Sequence, residues 1–182
     1  MGKKRACPIA RVEPALDRFQ EAHHWVHVLE QQYHSANAFR WSLNAFLKSV
    51  KEIPMLIAMG LQNEQGFPFW YRDTAAALSG DPLMKALAGK RDFVVHHGML
   101  VPHSSGSVGV TNSRGMRLAL GFPITPFEDS DQAMQRYLEF VATKGDFLAV
   151  LMEDEDTLPC IERRWQLEPF EDEVVELAAN AL

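Results

Sequence analysis

The stretch Arg91-Asp92-Phe93-Val94-Val95-His96-His97 groups more chemistry-bearing side chains than any other in the chain. On a helix, Asp92 and His96 stand one turn apart and share a face at ~100° per residue. A carboxylate so placed orients the imidazole and favours its charged form, and the negative potential of a helix C-terminus acts in the same direction. Arg91 is permanently charged and presents a fork of donors suited to a phosphate. Together they suit phosphodiester chemistry, with a histidine that moves protons and an arginine that stabilises charge on phosphorus. Arg91 and His96 diverge by ~140° on an ideal helix, so one chain does not aim both into one pocket. Two such helices packed about a twofold axis would, and a homodimer is expected on that ground.

A second constellation is His23, His27, Glu30 and His34, whose spacings place them within a ~60° arc of one helix. Imidazoles one turn apart can share a metal, with Glu30 completing the site. A single helix offers a small ion only two adjacent ligands, however, and the stripe reads first as a polar face. No metal and no other cofactor is therefore expected. Phe67, Trp70, Tyr71 and Trp41 have base-stacking shapes, with Arg40, Lys48, Lys51 and Arg72 near them in sequence. Their helical spacing makes packing the stronger reading for Trp41 and Trp70. Glycine-rich phosphate loops, serine-nucleophile elbows and paired-cysteine metal signatures do not occur in the sequence.

The elements that would carry these groups are legible from periodicity. Leu16, Phe19, Val26, Leu29 and Tyr33 recur at helical spacing from Pro14 to about Tyr33, and Ser35 or Asn37 could cap the next helix. In that helix Phe39, Leu43, Phe46, Val50, Ile53 and Ile57 form one stripe, with Pro54 inside it placed to kink or split the helix before Gly60. After a turn over residues 63–67, a short helix ends at Ser79-Gly80, and Asp81-Pro82 opens the helix that carries Arg91 and is ended by Gly98. Between Pro102 and Pro126 the pattern changes to alternating apolar residues around Asn112-Ser113-Arg114-Gly115, which reads as a β-hairpin. Asp129-Ser130-Asp131-Gln132 has the form of a capping box. The helix it opens either runs through Gly145 to Met152 or breaks at Lys144-Gly145-Asp146.

The fold class expected is mainly α, a four- to five-helix bundle with a small β-hairpin insertion at about 103–122. With 182 residues, 47% of them hydrophobic and 23% charged, the chain suits one globular domain rather than a disordered or fibrous protein. The net charge of −6 is unevenly spread. Residues 153–182 hold ten acids against two bases, and the first 152 are left at +2. The organisation expected is thus a helical domain over 1–152 and a peripheral acidic tail over 153–182. Cys7 and Cys160 are too few and too far apart for a disulfide framework or thiolate zinc site, which fits a reducing cytoplasm. The basic start Lys3-Lys4-Arg5 is followed by no signal-peptide apolar run, and nothing approaches the ~18–20 apolar residues of a membrane span.

Arginine, a polar residue, three variable positions and histidine, as in Arg91 to His96, resembles the signature of the HEPN superfamily, the higher eukaryotes and prokaryotes nucleotide-binding domains. The aromatic helix Phe39-Arg40-Trp41-Ser42-Leu43-Asn44-Ala45-Phe46-Leu47, followed by Phe69-Trp70-Tyr71, looks like uncharacterised bacterial members of that superfamily. The resemblance covers roughly 15–100 and leaves the hairpin unexplained. It implies a dimeric helical bundle directed at RNA, with Arg91 and His96 catalytic, Asp92 as modulator, and metal-independent endoribonuclease activity. His97 satisfies a looser spacing and leaves the choice of histidine open. The rival reading, from a different class, is a non-catalytic interaction or scaffold bundle.

Overall fold

The computed structural model describes residues 8–112, 115–121, 123–144 and 158–182. Among these residues the protein is mainly helical, with six helices and one small antiparallel sheet. The expected hairpin turn residues Ser113 and Arg114, the stretch from Gly145 to Met152 and the acidic run Glu153–Asp156 lie outside them, as do Cys7 and the basic start. No described helix is long and apolar enough to cross a membrane.

Where one domain was expected, the chain divides into two compact units. The first holds the described residues up to Glu30, then Arg40–Leu100 and Val175–Leu182. The second holds Gln31–Phe39 and the described residues from Val101 to Val174. The physical reason is visible in the patterns: helical stripes dominate to residue 100, and strand alternation then builds a separate core.

In the first unit, helix α1 (Pro8–Gln31) buries Ala15, Ala22, Val26 and Leu29, while Leu16 and Phe19 face outward. The seam is therefore rotated from the expected one onto small alanines, which let the neighbouring helix approach. α2 (Ala36–Leu61), whose residues up to Phe39 belong to the second unit, buries Leu43, Phe46, Leu47 and Val50 in the first and runs unbroken through Pro54. At Gly60 a Cβ would lie 2.2 Å from the Arg11 carbonyl oxygen, so the α1 and α2 backbones touch where a side chain has no room. Polar groups also tie the pair. Ser49 donates to Glu21 Oε1 at 3.2 Å, and Arg18 Nε meets Glu52 at 3.1 Å.

α3 (Phe67–Gly80) follows Gly66, whose φ of 83° only glycine adopts without strain. α4 (Pro82–His96) is capped as its sequence predicts, Asp81 Oδ1 accepting the Met84 N–H at 2.9 Å. Gly98, at φ 126°, stops the chain from continuing helically. The segment then returns to α2: Asn44, itself buried, donates to the Leu100 carbonyl at 3.3 Å and accepts its N–H at 3.1 Å.

In the second unit β1 (His103–Asn112) pairs antiparallel with β2 (Gly115–Gly121), giving the expected hairpin. A third strand, β3 (Leu158–Gln166), pairs with the other edge of β1 to give the order β2-β1-β3. Helix α5 (Ser130–Lys144) covers the sheet, with Val108, Tyr137 and Val141 at the centre of the contact. The capping box opens α5 as expected on one side, Gln132 Oε1 accepting the Asp129 N–H at 3.0 Å. The Asp129 carboxylate itself accepts the Ala36 N–H at 2.6 Å and so caps α2.

The last helix, α6 (Val174–Asn180), buries Val174, Leu177 and Ala178. From residue 158 onward the chain is therefore not a peripheral tail. Glu162 and Glu176 mark outward positions of elements whose other face is packed, a distinction that charge counting misses.

Candidate functional site

The groups expected to do chemistry sit at the end of α4 but do not converge. Arg91 Nη1 donates to Asp92 Oδ1 at 3.1 Å, and the same carboxylate oxygen faces Lys51 Nζ at 3.8 Å. Asp92 is thus occupied by its neighbour and by α2, and no hydrogen bond joins it to His96 among the described residues. His96 and His97 are both exposed, the His97 ring lying 5.4 Å from Phe93. Arg91 is mostly covered, and its buried Nε has no partner. One chain presents an arginine and a histidine on different faces of a helix end, as the ~140° separation requires.

The histidine stripe is broken by the end of α1 at Gln31. His23 and His27 meet edge to face at 4.6 Å, and His27 Nδ1 lies 3.2 Å from Glu30 Oε2, both of them well exposed. His34 falls beyond the helix, where its Nδ1 lies 2.9 Å from Ser130 Oγ. No group of three His, Cys, Asp or Glu side chains able to hold an ion occurs among the described residues.

The second unit contains a polar centre that sequence reasoning passed over. Arg163, 4% exposed, donates from Nε to Ser104 Oγ at 3.1 Å, from Nη1 to the Glu128 carbonyl at 2.8 Å and from Nη2 to the Thr125 carbonyl at 3.1 Å. Its guanidinium also lies 3.9 Å from the Trp165 ring centre. Trp165 is fully buried, stacked on Phe39 at 4.5 Å, and donates from Nε1 to the Tyr33 carbonyl at 2.9 Å. The Tyr33 hydroxyl lies 2.6 Å from the Arg163 carbonyl and 2.8 Å from Glu173 Oε1, which also accepts the Trp165 N–H. Burial pushes the Arg163 pKa down to about 10, with Asp129 and Glu128 opposing the shift. Burial first, and Glu173 second, push the Tyr33 hydroxyl well above its ordinary range. The available signal was the alternation of Arg163, Trp165 and Leu167, an inward-facing strand pattern with an arginine in it.

The most unusual surface belongs to the first unit. The two helices α3 and α4 bury only Phe67 and Leu87. Phe69 is 69% exposed and Trp70 54%, and on α2 Met55 and Met59 are 52% and 62% exposed. Trp41 is also exposed, so neither Trp41 nor Trp70 is the packing residue that helical spacing suggested. Between α2, α3 and α4 lies a cavity of about 470 Å³ whose walls include Leu47, Val50, Pro54, Leu78, Met84 and Leu87. None of Arg91, Asp92, His96 or His97 lines it.

The model of the family described as bacteriophage lambda protein ea47 matches residues 2–175, nearly the whole chain. The chain belongs to that family. No curated protein and no solved structure matches it. The ea47 assignment overturns the HEPN resemblance, since no HEPN family matches while the ea47 family accounts for the same residues and the hairpin as well. The physical reason is that an arginine and a histidine five positions apart near a helix end need no shared ancestry. An arginine held by the next aspartate and a histidine in the last turn are ordinary ways to finish a helix.

Proposed function

We propose that this ea47-family chain is a helical interaction protein that pairs with a second copy of itself through the exposed apolar side chains of α2 and α3. The observation that carries this reading is the outward placement of Met55, Met59, Phe69 and Trp70, on helices that keep few of their apolar side chains inside. Covering these four removes on the order of 500 Å² of apolar surface per chain from water. That is more than half of the ~800 Å² per partner in a stable interface, and a polar rim supplies the remainder. Isolated apolar residues on a surface need no explanation, but four on adjoining helices mark a contact site.

The nuclease reading has less to support it: its arginine and aspartate are engaged with each other, and its histidine faces solvent on another side of α4. Light scattering across the micromolar range tests the proposal. A dimer mass is expected, with Phe69→Asp and Met59→Asp each giving monomers of unchanged helix content. A monomer at every concentration overturns self-association. RNA cleavage in the presence of chelator, lost on Arg91→Ala, overturns the interaction reading in favour of the nuclease.

A further inference from the structure

The cavity between α2, α3 and α4 has a chemical character of its own. Its volume of about 470 Å³ lies in the range of small-molecule sites, and its walls are predominantly aliphatic, from Leu47, Val50, Pro54, Leu78, Met84 and Leu87. A smaller cavity of about 190 Å³ shares Val50, Pro54, Leu78 and Met84 with it and reaches toward Phe19 and Ile57. An elongated apolar body could therefore continue from one into the other. Methionine in the shared wall adapts to an irregular occupant better than branched side chains do.

The charged lining is of one sign. Lys51 and Lys85 border the larger cavity, and no acidic side chain does. Lys51 forms an ion pair with Asp92 at 3.8 Å, whereas Lys85 has no acidic partner among the described residues. Both are exposed on their outer side, and the Lys85 ammonium group stays hydrated until an anion arrives, while Lys51 can share its charge with Asp92 and a second carboxylate. A nucleotide or sugar would find too few donors and acceptors on such walls to replace its water.

From this juxtaposition of an aliphatic double cavity with two lysines at its border, we infer that the first unit binds a single-chain carboxylate amphiphile, a free medium-chain fatty acid. The hydrocarbon chain fills the space between α2 and the α3–α4 pair, and the carboxylate pairs with Lys85 and Lys51. Of the four side chains that carry self-association, Met55 borders the larger cavity and Trp70 the smaller, while Met59 and Phe69 line neither.

The test is calorimetric titration of the full chain with dodecanoate below micelle-forming concentrations, with dodecyltrimethylammonium as the cationic control. Saturable binding of one dodecanoate per chain is expected, with the cationic analogue at least tenfold weaker. Lys85→Glu, an exposed position, should weaken dodecanoate at least tenfold without changing the circular dichroism spectrum. Ala75→Phe, which fills the wall common to both cavities, should abolish binding. Equal affinity for the two head groups, unchanged affinity in Lys85→Glu, or a response that never saturates overturns the inference. Dodecanoate binding by Phe69→Asp monomers supports it even where self-association fails, and a dimer that binds no dodecanoate overturns it while leaving self-association standing.

Discussion

Two tryptophans divide this molecule. Trp165 in the second unit is enclosed by Phe39, the Arg163 guanidinium and the Tyr33 carbonyl, in a place where even charged groups are buried and bonded. Trp70 in the first unit stands more than half exposed beside other apolar side chains. The ordinary rule puts apolar groups inside and charge outside, and Arg163 and Trp70 break it in opposite directions. A buried arginine is tolerated because its donors meet Ser104, Glu128 and Thr125, which removes most of the desolvation penalty. Exposed aromatic rings have no such internal compensation, which is the ground on which self-association is proposed. The first departure specifies a fold, and the second presents a surface.

The comparison breaks most directly at the tryptophans themselves. Trp165→Ala should cost ~3–5 kcal/mol, since it leaves a cavity beside Phe39 and removes the ring under the Arg163 guanidinium. Trp70→Ala should cost ~1 kcal/mol or less in the dissociated chain. Urea unfolding of dilute protein measures both, and equal losses would erase the distinction between the two regions.

A smaller effect sharpens the account of the buried centre. The folded-state pKa of Tyr33 is raised, so its stabilising contribution is complete below the unfolded value near 10 and is lost as pH rises beyond it. Above that pH the unfolded chain releases the proton and the folded one keeps it. The stability advantage of the native protein over Tyr33→Phe should therefore shrink by up to ~1.4 kcal/mol per pH unit above pH ~10. A pH-independent difference would show that the hydroxyl does not keep its proton in the folded protein.

The smallest expected effect belongs to the α4 end. His96 is exposed and has no hydrogen-bonded partner among the described residues, so His96→Ala should change stability by no more than ~0.5 kcal/mol. A loss above ~1 kcal/mol, read from thermal unfolding, would give this histidine a structural role.

Much of the local structure was legible before any coordinates. Asp81-Pro82 announced a helix start because an Asx side chain and a fixed φ act within one turn, and Gly98 announced its end for the same local reason. The hairpin announced itself by alternation. Even the Asp129 box was readable, though only half of it: that Gln132 would close it is local, whereas the turn of the Asp129 carboxylate to α2 depends on a residue 93 positions away. The Arg91 to His96 spacing was correctly placed on a helix, yet spacing says nothing about whether a second element completes a site.

What the sequence by itself determined is the set of elements whose signals span a few residues: four helices to residue 97, the cap of α4 and the hairpin. The tertiary structure alone decided which face of each is buried. It put Ala15 and Ala22 inside in place of Leu16 and Phe19, and placed Arg163 inside and Trp70 outside. It also made a strand of the acidic C-terminal region by offering it the free edge of β1. Periodicity fixes which residues share a face, because that follows from backbone geometry within one element. Whether that face meets protein or water depends on elements far along the chain, and no local pattern encodes their arrival.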